Sequence, residues 1–219
     1  MPPPANEAET APAALAIIDG PALARAFTSG AAALRNQAAA LNAINVFPVP
    51  DGDTGTNMSL TMSAAAAVAE QSGETTAAGV AKAAAQASLM SAKGNSGVIL
   101  SQILAGITAA VTGDSIDAPT LADAFERARV AAYRVVSNPR EGTILTAITG
   151  ASDAAAIAAR NNESADAVLA AAVEGTREAV VRTPELLPVL KEAGMSTKNK
   201  NDQRVYREAE KSISGMKKK

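Results

Sequence analysis

Apolar residues recur at helical spacing along most of this chain, and that periodicity restricts its fold more than any other feature. The first stretch starts after Asp19 and Pro21, residue types that are typical of a helix N-terminus. Its apolar residues follow at near-heptad intervals, namely Leu23, Phe27, Leu34 and Leu41. The same pattern predicts seven further helices, over about residues 56–70, 76–92, 97–112, 120–137, 144–160, 164–182 and 184–193.

The last of these helices carries clear end signals. Thr183 is expected as its N-cap, Pro184 stands at the first helical position, and Gly194 marks its end. Eight helices without a predicted strand indicate an all-α fold, an eight-helix antiparallel barrel or bundle. Aromatic residues make up only 2% of the chain, so the core must be built from Ala, Leu, Ile, Val and Met, which suits close helix packing.

The chain contains neither cysteine nor histidine. This composition excludes disulfides, thiolate and imidazole metal ligands, Cys or His nucleophiles, and His general bases. Any chemistry must therefore use oxygen ligands and backbone amides.

The two ends of the chain differ in composition from the segment between them. Residues 1–16 are rich in Pro and Ala and are predicted to form a disordered lead-in without the pattern of a signal peptide. Residues 195–219 carry eight Lys and Arg against three Asp and Glu. This basic tail could contact nucleic acid or an acidic partner, or it could simply be solvated. The sequence favours a solvated tail. No apolar run reaches the ~20 residues of a membrane span, and a cytoplasmic protein is predicted.

Three of the predicted helices open with glycines and small hydroxyl or amide side chains. The three segments are PDGDTGTN (50–57), KGNSG (93–97) and REGTILT (140–146). A helix N-terminus has unpaired N–H groups and a partial positive charge, and glycine lets the backbone approach a phosphate closely. Since these starts belong to alternate helices, we expect them to meet at one end of the bundle as an anion site.

Asp51 and Asp53 stand in the first of these segments, and neither has a neighbouring Lys or Arg in the sequence. A hard cation would neutralise them, and Mg²⁺ is usually held by one or two carboxylates together with substrate phosphates. The fragment alone also fits a plain capping loop, because Asp and Gly are common turn residues. It lacks the later ligands of a calcium-binding EF-hand, and the chain has no Walker-type phosphate loop or dinucleotide-binding glycine motif.

Four segments together resemble a known family. They are LNAINVFPVPDGDTGTNMSLTM (41–62), KGNSGVILSQILAG (93–106), EGTILT (141–146) and TPELLPVLKEAG (183–194). In this order they resemble the N-terminal kinase domain of the bacterial fatty acid kinase A subunit, within the ATP-binding family typified by the L subunit of dihydroxyacetone kinase. The resemblance covers about residues 18–194 and implies one kinase domain, placed at 17–194, that forms an eight-helix barrel with the nucleotide at one end.

The resemblance also implies roles for individual residues. Asp51 and Asp53 would bind two Mg²⁺ ions that bridge the phosphates of ATP. Asn45 would be either a weaker third metal ligand or a cap of the first helix. The implied nucleotide contacts are Thr54, Thr56, Asn57, Gly94, Asn95, Ser96, Gly97, Gly142 and Thr143. Simple N-capping is the alternative role for Ser96 and Thr143, and Met58 and Met90 are expected in the core.

Two departures from the family pattern affect these expectations. Thr54 stands where the L subunit of dihydroxyacetone kinase has a histidine, which favours the fatty acid kinase branch. After Gly194 the family's glycine-rich loop over the nucleotide is missing or replaced, so we expect weaker nucleotide binding.

The implied activity is phosphoryl transfer from ATP to a fatty acid carboxylate that a separate fatty-acid-binding protein presents. A carboxylate needs no general base, which suits a chain without histidine. Three alternatives stay open: a dihydroxyacetone-type kinase subunit, a non-catalytic nucleotide-binding regulator, and a purely structural helical bundle. A homodimer is a further candidate assembly.

Overall fold

The computed structural model describes residues 17–195, and these residues form an all-α structure. Within this range the chain has eight helices, the number that the periodicity predicts. They are α1 (Gly20–Ala43), α2 (Thr54–Gln71), α3 (Ala77–Ser91), α4 (Gly94–Ala110), α5 (Ala118–Val135), α6 (Ile144–Arg160), α7 (Ala165–Leu186) and α8 (Pro188–Glu192). The all-α class is confirmed, whereas closure into a barrel stays a prediction. The predicted lead-in 1–16 and residues 196–219 of the predicted tail lie outside the described residues.

The sequence predicts no strand, but residues 17–195 include one short antiparallel pair. β1 (Ile18–Asp19) pairs with β2 (Ser115–Ile116), and Ile18 lies opposite Ile116. Because Ile116 is buried, the pair fastens the chain before α1 to the connection between α4 and α5 through a core contact. Two-residue strands are too short for an alternating pattern to reveal them.

Four helices begin with a side-chain cap that satisfies a free backbone N–H group of the first turn. In each case a side-chain oxygen accepts from a backbone N–H: Asp19 from Ala22 (2.8 Å), Thr76 from Gly79 (3.0 Å), Asp117 from Thr120 (2.9 Å) and Thr143 from Leu145 (3.2 Å). Hydrogen bonds from Thr120 lower the pKa of Asp117, so the ionised carboxylate is the form that caps α5. The predicted cap at Asp19, followed by Pro21 in the first turn, is confirmed.

The predicted start of the last helix is wrong. Thr183 and Pro184 lie inside α7, and the break falls at Leu187, after which Pro188 opens α8. Pro184 has no N–H group for the carbonyl of Val180, but the hydroxyl of Thr183 donates to that oxygen at 2.8 Å. The carbonyl of Val180 therefore still has a hydrogen-bond donor, and the helix continues through the proline. Gly194 ends α8 at φ 73°, as predicted.

Hydrogen bonds and close backbone contacts show that α1 and α2, α5 and α6, and α6 and α7 are antiparallel. In each pair, residue numbers that rise along one helix fall along the next. Between α1 and α2, Arg35 contacts Ser63 and Asn42 contacts Thr56. Between α5 and α6, Glu126 contacts Ser152 and Tyr133 contacts Thr149. Between α6 and α7, Gly150 lies against Gly175, and Gly142, just before α6, lies against Thr183. The seven-residue connection 111–117 joins α4 and α5, whose backbones meet at Gly106 and Ala128. Together with the hydrogen bond from Ser96 at the start of α4 to the carbonyl of Thr54 at the start of α2, these directions place the starts of α2, α4 and α6 at one end of the bundle.

The core is built mainly from alanine and aliphatic side chains, as the composition predicts. One buried cluster contains residues of every helix from α3 through α7. A second contains residues of every helix from α1 through α4, among them Phe27, Ala31 and Ala84. Among the helices of residues 17–195, none combines the length and apolarity that crossing a membrane requires.

The expectation that Met90 belongs to the core is wrong, because 85% of this residue is exposed. The buried stripe of α3 runs through Ala81, Ala84, Ala85 and Ser88. Two residues beyond Ser88, the helix has turned by about 200°, so Met90 lies on the opposite face. Met58 is partly buried in α2.

The crossing of α6 and α7 depends on two glycines. A Cβ atom at Gly150 would lie 2.4 Å from the carbonyl oxygen of Gly175 and 2.7 Å from the Cβ of Ala179. We expect Gly150→Ala to lower the free energy of unfolding by about 1–3 kcal/mol in urea denaturation, since the backbones must separate. Gly113→Ala is the control, because its Cβ would meet an atom only at 3.8 Å. Equal stability of the two variants would contradict this account of the crossing.

Candidate functional site

The starts of α2 and α4 are in direct contact. The hydroxyl of Ser96 donates to the carbonyl of Thr54 at 3.4 Å, and a Cβ at Gly94 would lie 2.3 Å from the side-chain nitrogen of Asn57. One turn further, a Cβ at Gly97 would lie 2.7 Å from the hydroxyl of Thr61. From Gly94 with Asn57 to Gly97 with Thr61, residue numbers rise on both helices, so their first turns run side by side and their N-termini meet. The predicted meeting of the first two glycine-containing segments is therefore confirmed.

Neither of these two helix starts has a side-chain cap of its own. Asp53 is the N-cap residue of α2 and Lys93 that of α4, and neither side chain bonds to its first turn. The predicted alternative that Ser96 caps α4 is wrong, because Ser96 is the third residue of the helix and bonds to α2. The first-turn amides of α4 thus keep the donor capacity and partial positive charge that suit an anion.

The two carboxylates of the Asp-Gly-Asp segment lie beside these helix starts. Asp51 is exposed and accepts a hydrogen bond from Nδ2 of Asn45 at 2.7 Å, whereas Asp53 is partly buried. The three ion pairs found among residues 17–195 involve other residues, so neither carboxylate is paired with a Lys or Arg of that range.

These residues fit a magnesium ion that completes its shell from other sources. No group of three acidic, His or Cys side chains in the described part of the chain could hold a metal. A cation at Asp51 and Asp53 would therefore take its other ligands from water and phosphate oxygens, as Mg²⁺ usually does. Binding of one or two Mg²⁺ ions by these two carboxylates stays a prediction.

Asn45 does not cap α1 with its side chain. Residue Ile44 is the C-cap, and both bonds of the Asn45 amide nitrogen go forward, to Asp51 and to the carbonyl of Val49 at 3.2 Å. Direct metal ligation by Asn45 stays a prediction, and in this structure it is a donor to the candidate ligand Asp51.

Asn42 contacts the site although the sequence analysis did not single it out. Its Oδ1 atom accepts from the backbone N–H of Thr56 at 3.1 Å, and its Nδ2 atom donates to the Thr56 hydroxyl at 2.9 Å. The amide of Thr56 is thereby occupied, which leaves Thr54 and Gly55 at the start of α2. The signal was present in the sequence, as a polar residue on the last turn of a helix that leads into the motif.

The start of α6 lies at the same end of the bundle, where Gly142 packs against the end of α7. Gly142 is buried, and a Cβ there would lie 2.9 Å from the carbonyl oxygen of Thr183. Thr143 is the N-cap of α6, and its hydroxyl also donates to the carbonyl of Arg140 at 2.8 Å. The capping alternative for Thr143 is therefore confirmed, and nucleotide contacts from Gly142 and Thr143 stay a prediction.

A hydrogen-bond network that the sequence did not indicate holds this third start in place. The hydroxyl of Tyr133 donates to Glu141 at 2.7 Å, the hydroxyl of Thr146 donates to the same carboxylate, and the N–H of Gly142 donates to Thr146 at 2.8 Å. Burial and then the bond to Glu141 raise the pKa of Tyr133. The turn before α6 is consequently tied to α5.

A shallow groove of about 290 Å³ lies between α6 and α7, away from these helix starts. Its floor is apolar and its rim carries three carboxylates, Glu163, Glu174 and Glu178. No basic side chain lines it, and although Glu174 pairs with Arg177 at 3.4 Å, Glu163 and Glu178 keep the groove negative, so it would repel a phosphate. Among the described residues, the contact between α2 and α4 is the better candidate for an anionic ligand.

A comparison with protein families identifies the domain that contains these helix starts. The model of the DAK2 domain matches residues 48–203, which include all three glycine-containing helix starts. The chain belongs to the DAK2 domain family. This family binds nucleotide and is related to kinase-type proteins, so a kinase-like, nucleotide-binding role follows for the DAK2 domain described here.

Curated relatives carry the same domain within longer chains. Protein YloV of Bacillus subtilis is 43% identical over 179 residues, which are 81% of this chain and 32% of that protein. An uncharacterized protein of Staphylococcus saprophyticus is 40% identical over the same length, and one of Staphylococcus aureus is 39% identical. The chain spans about a third of the length of the curated relatives it matches.

Proposed function

We propose that this chain binds Mg-ATP where α2 and α4 meet and donates the γ-phosphoryl group to a fatty acid carboxylate held by a separate fatty-acid-binding protein. One observation carries the proposal. Two helix starts without side-chain caps of their own touch each other beside two carboxylates that form no ion pair within residues 17–195. Free amides suit the phosphates, and the carboxylates suit the cation that accompanies them.

Each part of the site has a separate task in this proposal. The amides of residues 94–96 bind phosphate oxygens, and Gly94 lets the backbone approach them. Asp51 and Asp53 would hold Mg²⁺, which would supply positive charge against the charge of the transferring group. An oxygen of the fatty acid carboxylate forms a bond to the γ-phosphorus while the bond to ADP breaks, giving an acyl phosphate. No proton has to be removed from the acceptor.

The acceptor and its carrier are the parts of the proposal that go beyond the DAK2 domain. The chain spans about a third of its curated relatives, so the activity of the whole proteins is itself proposed here. No acceptor site is evident at the contact between α2 and α4, which accounts for the donor alone. Holding two reactants in attack geometry contributes about 7–11 kcal/mol to catalysis, so a chain that positions only the donor should be nearly inactive by itself.

We therefore expect acyl phosphate only when a carrier is present. The purified chain would be mixed with Mg-ATP and oleate, with and without a fatty-acid-binding protein, and acyl phosphate trapped with hydroxylamine. The carrier should raise the rate by at least about 100-fold, a part of the positioning contribution. Robust turnover without a carrier would contradict the proposal. Phosphorylation of dihydroxyacetone in a parallel reaction with its cognate subunit would instead assign the chain to that kinase type.

A further inference from the structure

Two asparagines hold the loop between α1 and α2, Asn42 in the last turn of α1 and Asn45 within the loop itself. Asn42 bonds to the N–H and the hydroxyl of Thr56 at 3.1 and 2.9 Å, beyond the Asp-Gly-Asp segment. Asn45 bonds to Asp51 and to the carbonyl of Val49, within and before that segment. The two carboxylates thus lie in a loop that is held from α1 by Asn42 and braced internally by Asn45.

Asn42 replaces a cap that α2 lacks. The side chain of the N-cap residue Asp53 makes no capping bond, and the amide oxygen of Asn42 satisfies Thr56 in its place. If Asp53 capped its own helix, its carboxylate would be turned toward the first turn of α2. A cap supplied by another helix leaves the Asp53 carboxylate available to a cation.

The neutrality of the two asparagines matters as much as their position. A Lys or Arg could also hold Asp51, but its charge would cancel the attraction that the carboxylate exerts on a cation. An amide donor orients the carboxylate and leaves its charge in place. Both bonds of the Asn45 nitrogen are used, and only one oxygen of Asp51 is recorded as an acceptor. The second oxygen remains for a metal.

We infer that Asn42 is a positioning residue for the metal site, because it caps α2 from α1 and so keeps the Asp53 carboxylate free for Mg²⁺. This inference rests on the proposed function for its ligand, and it adds a residue for which neither the motif nor the family match gives a role. Asn42 touches neither nucleotide nor metal in this arrangement, and its effect passes through Thr56.

The test is Asn42→Ala, followed by two independent measurements. Hydrogen exchange of the Thr56 amide, without nucleotide, should become about tenfold faster, since the bond to Oδ1 is lost. The Mg²⁺ concentration that gives half-maximal ATP binding should rise by about 5–10-fold, because Asp53 can then turn to cap α2. Asn36→Ala is the matched control, an exposed asparagine of the same helix, and should change neither quantity.

A conservative variant separates positioning from a general loss of stability. Asn42→Asp keeps an acceptor for the Thr56 amide, so it should restore slow exchange. Because its added negative charge also attracts a cation, its Mg²⁺ requirement should lie at or below that of the original chain and not rise as in Asn42→Ala. Faster exchange in Asn42→Ala with an unchanged Mg²⁺ requirement would overturn the inference, since the role would then be structural. If the original chain itself binds no Mg-ATP, the proposed function fails. If the Thr56 amide of Asn42→Ala exchanges as slowly as in the original chain, Asn42 does not cap α2, and only this inference fails.

Discussion

Replacing Asp53 by alanine should abolish measurable binding of Mg-ATP while leaving the fold intact. Asp53 forms no ion pair within residues 17–195, and its side chain does not cap α2, so its removal costs the helix little. It also relieves the repulsion between Asp53 and Asp51. Loss of one of two metal carboxylates should lower affinity by at least about 100-fold, or about 2.8 kcal/mol, in isothermal titration calorimetry.

The matched control for this change is Asp117→Ala, which should behave in the opposite way. Asp117 does cap its helix, with a bond to Thr120 at 2.9 Å, and it opens α5 at the other end of the bundle. Its loss should lower the free energy of unfolding by about 0.5–2 kcal/mol and leave Mg-ATP affinity unchanged. If Asp53→Ala unfolds the protein while the remaining folded fraction binds ATP normally, Asp53 is structural and the proposed metal site is wrong.

Replacing Gly94 by alanine should remove nucleotide binding by a different route. Gly94 has φ 61°, and a Cβ there would lie 2.3 Å from the side-chain nitrogen of Asn57, which is buried at 7% exposure. The new methyl group must displace Asn57 or move the start of α4, and either change separates the two helix starts. We expect Mg-ATP affinity to fall by more than about 30-fold, since the phosphates lose several amide donors at once.

Gly73→Ala distinguishes this effect from the ordinary cost of a left-handed backbone. Gly73 has φ 68°, close to that of Gly94, but a Cβ there would meet nothing within 4 Å. Gly73→Ala should lose about 1–2 kcal/mol of stability in urea denaturation and keep its nucleotide affinity. Gly94→Ala should lose more stability, because its methyl group also overlaps Asn57, and it alone should lose nucleotide affinity. Equal affinities of the two variants would show that the start of α4 does not bind phosphate.

The fold was predictable to the extent that it depends on local sequence. The caps at Asp19 and Thr143 and the end of α8 at Gly194 follow from residue types that bond to their own backbone neighbours. The break at Leu187 did not follow, because the hydroxyl of Thr183 compensates for Pro184 and this pairing changes the usual effect of a proline. The exposure of Met90 was missed because apolar character does not reveal which face of a helix is covered.

The site was predictable where one short segment contains its residues. Asp51, Asp53 and the glycines around them form such segments, and their types suggest metal and phosphate chemistry directly. Asn42 and Glu141 were missed because their hydrogen-bond partners lie on other helices and are fixed by tertiary packing. Asn42 of α1 bonds to Thr56 of α2, and Glu141 before α6 bonds to Tyr133 of α5. Polar residues of this kind resemble ordinary surface residues until the neighbouring helix is known.

We propose that the nucleotide and its metal lie where α2 and α4 meet. The most direct measurement is a crystal structure of the full chain with Mn²⁺ and a non-hydrolysable ATP analogue, with anomalous scattering used to locate the manganese. We expect an anomalous peak beside Asp51 and Asp53, and phosphate oxygens within hydrogen-bond distance of the amides of residues 94–96. Nucleotide bound in the groove between α6 and α7, or manganese away from both aspartates, would contradict it.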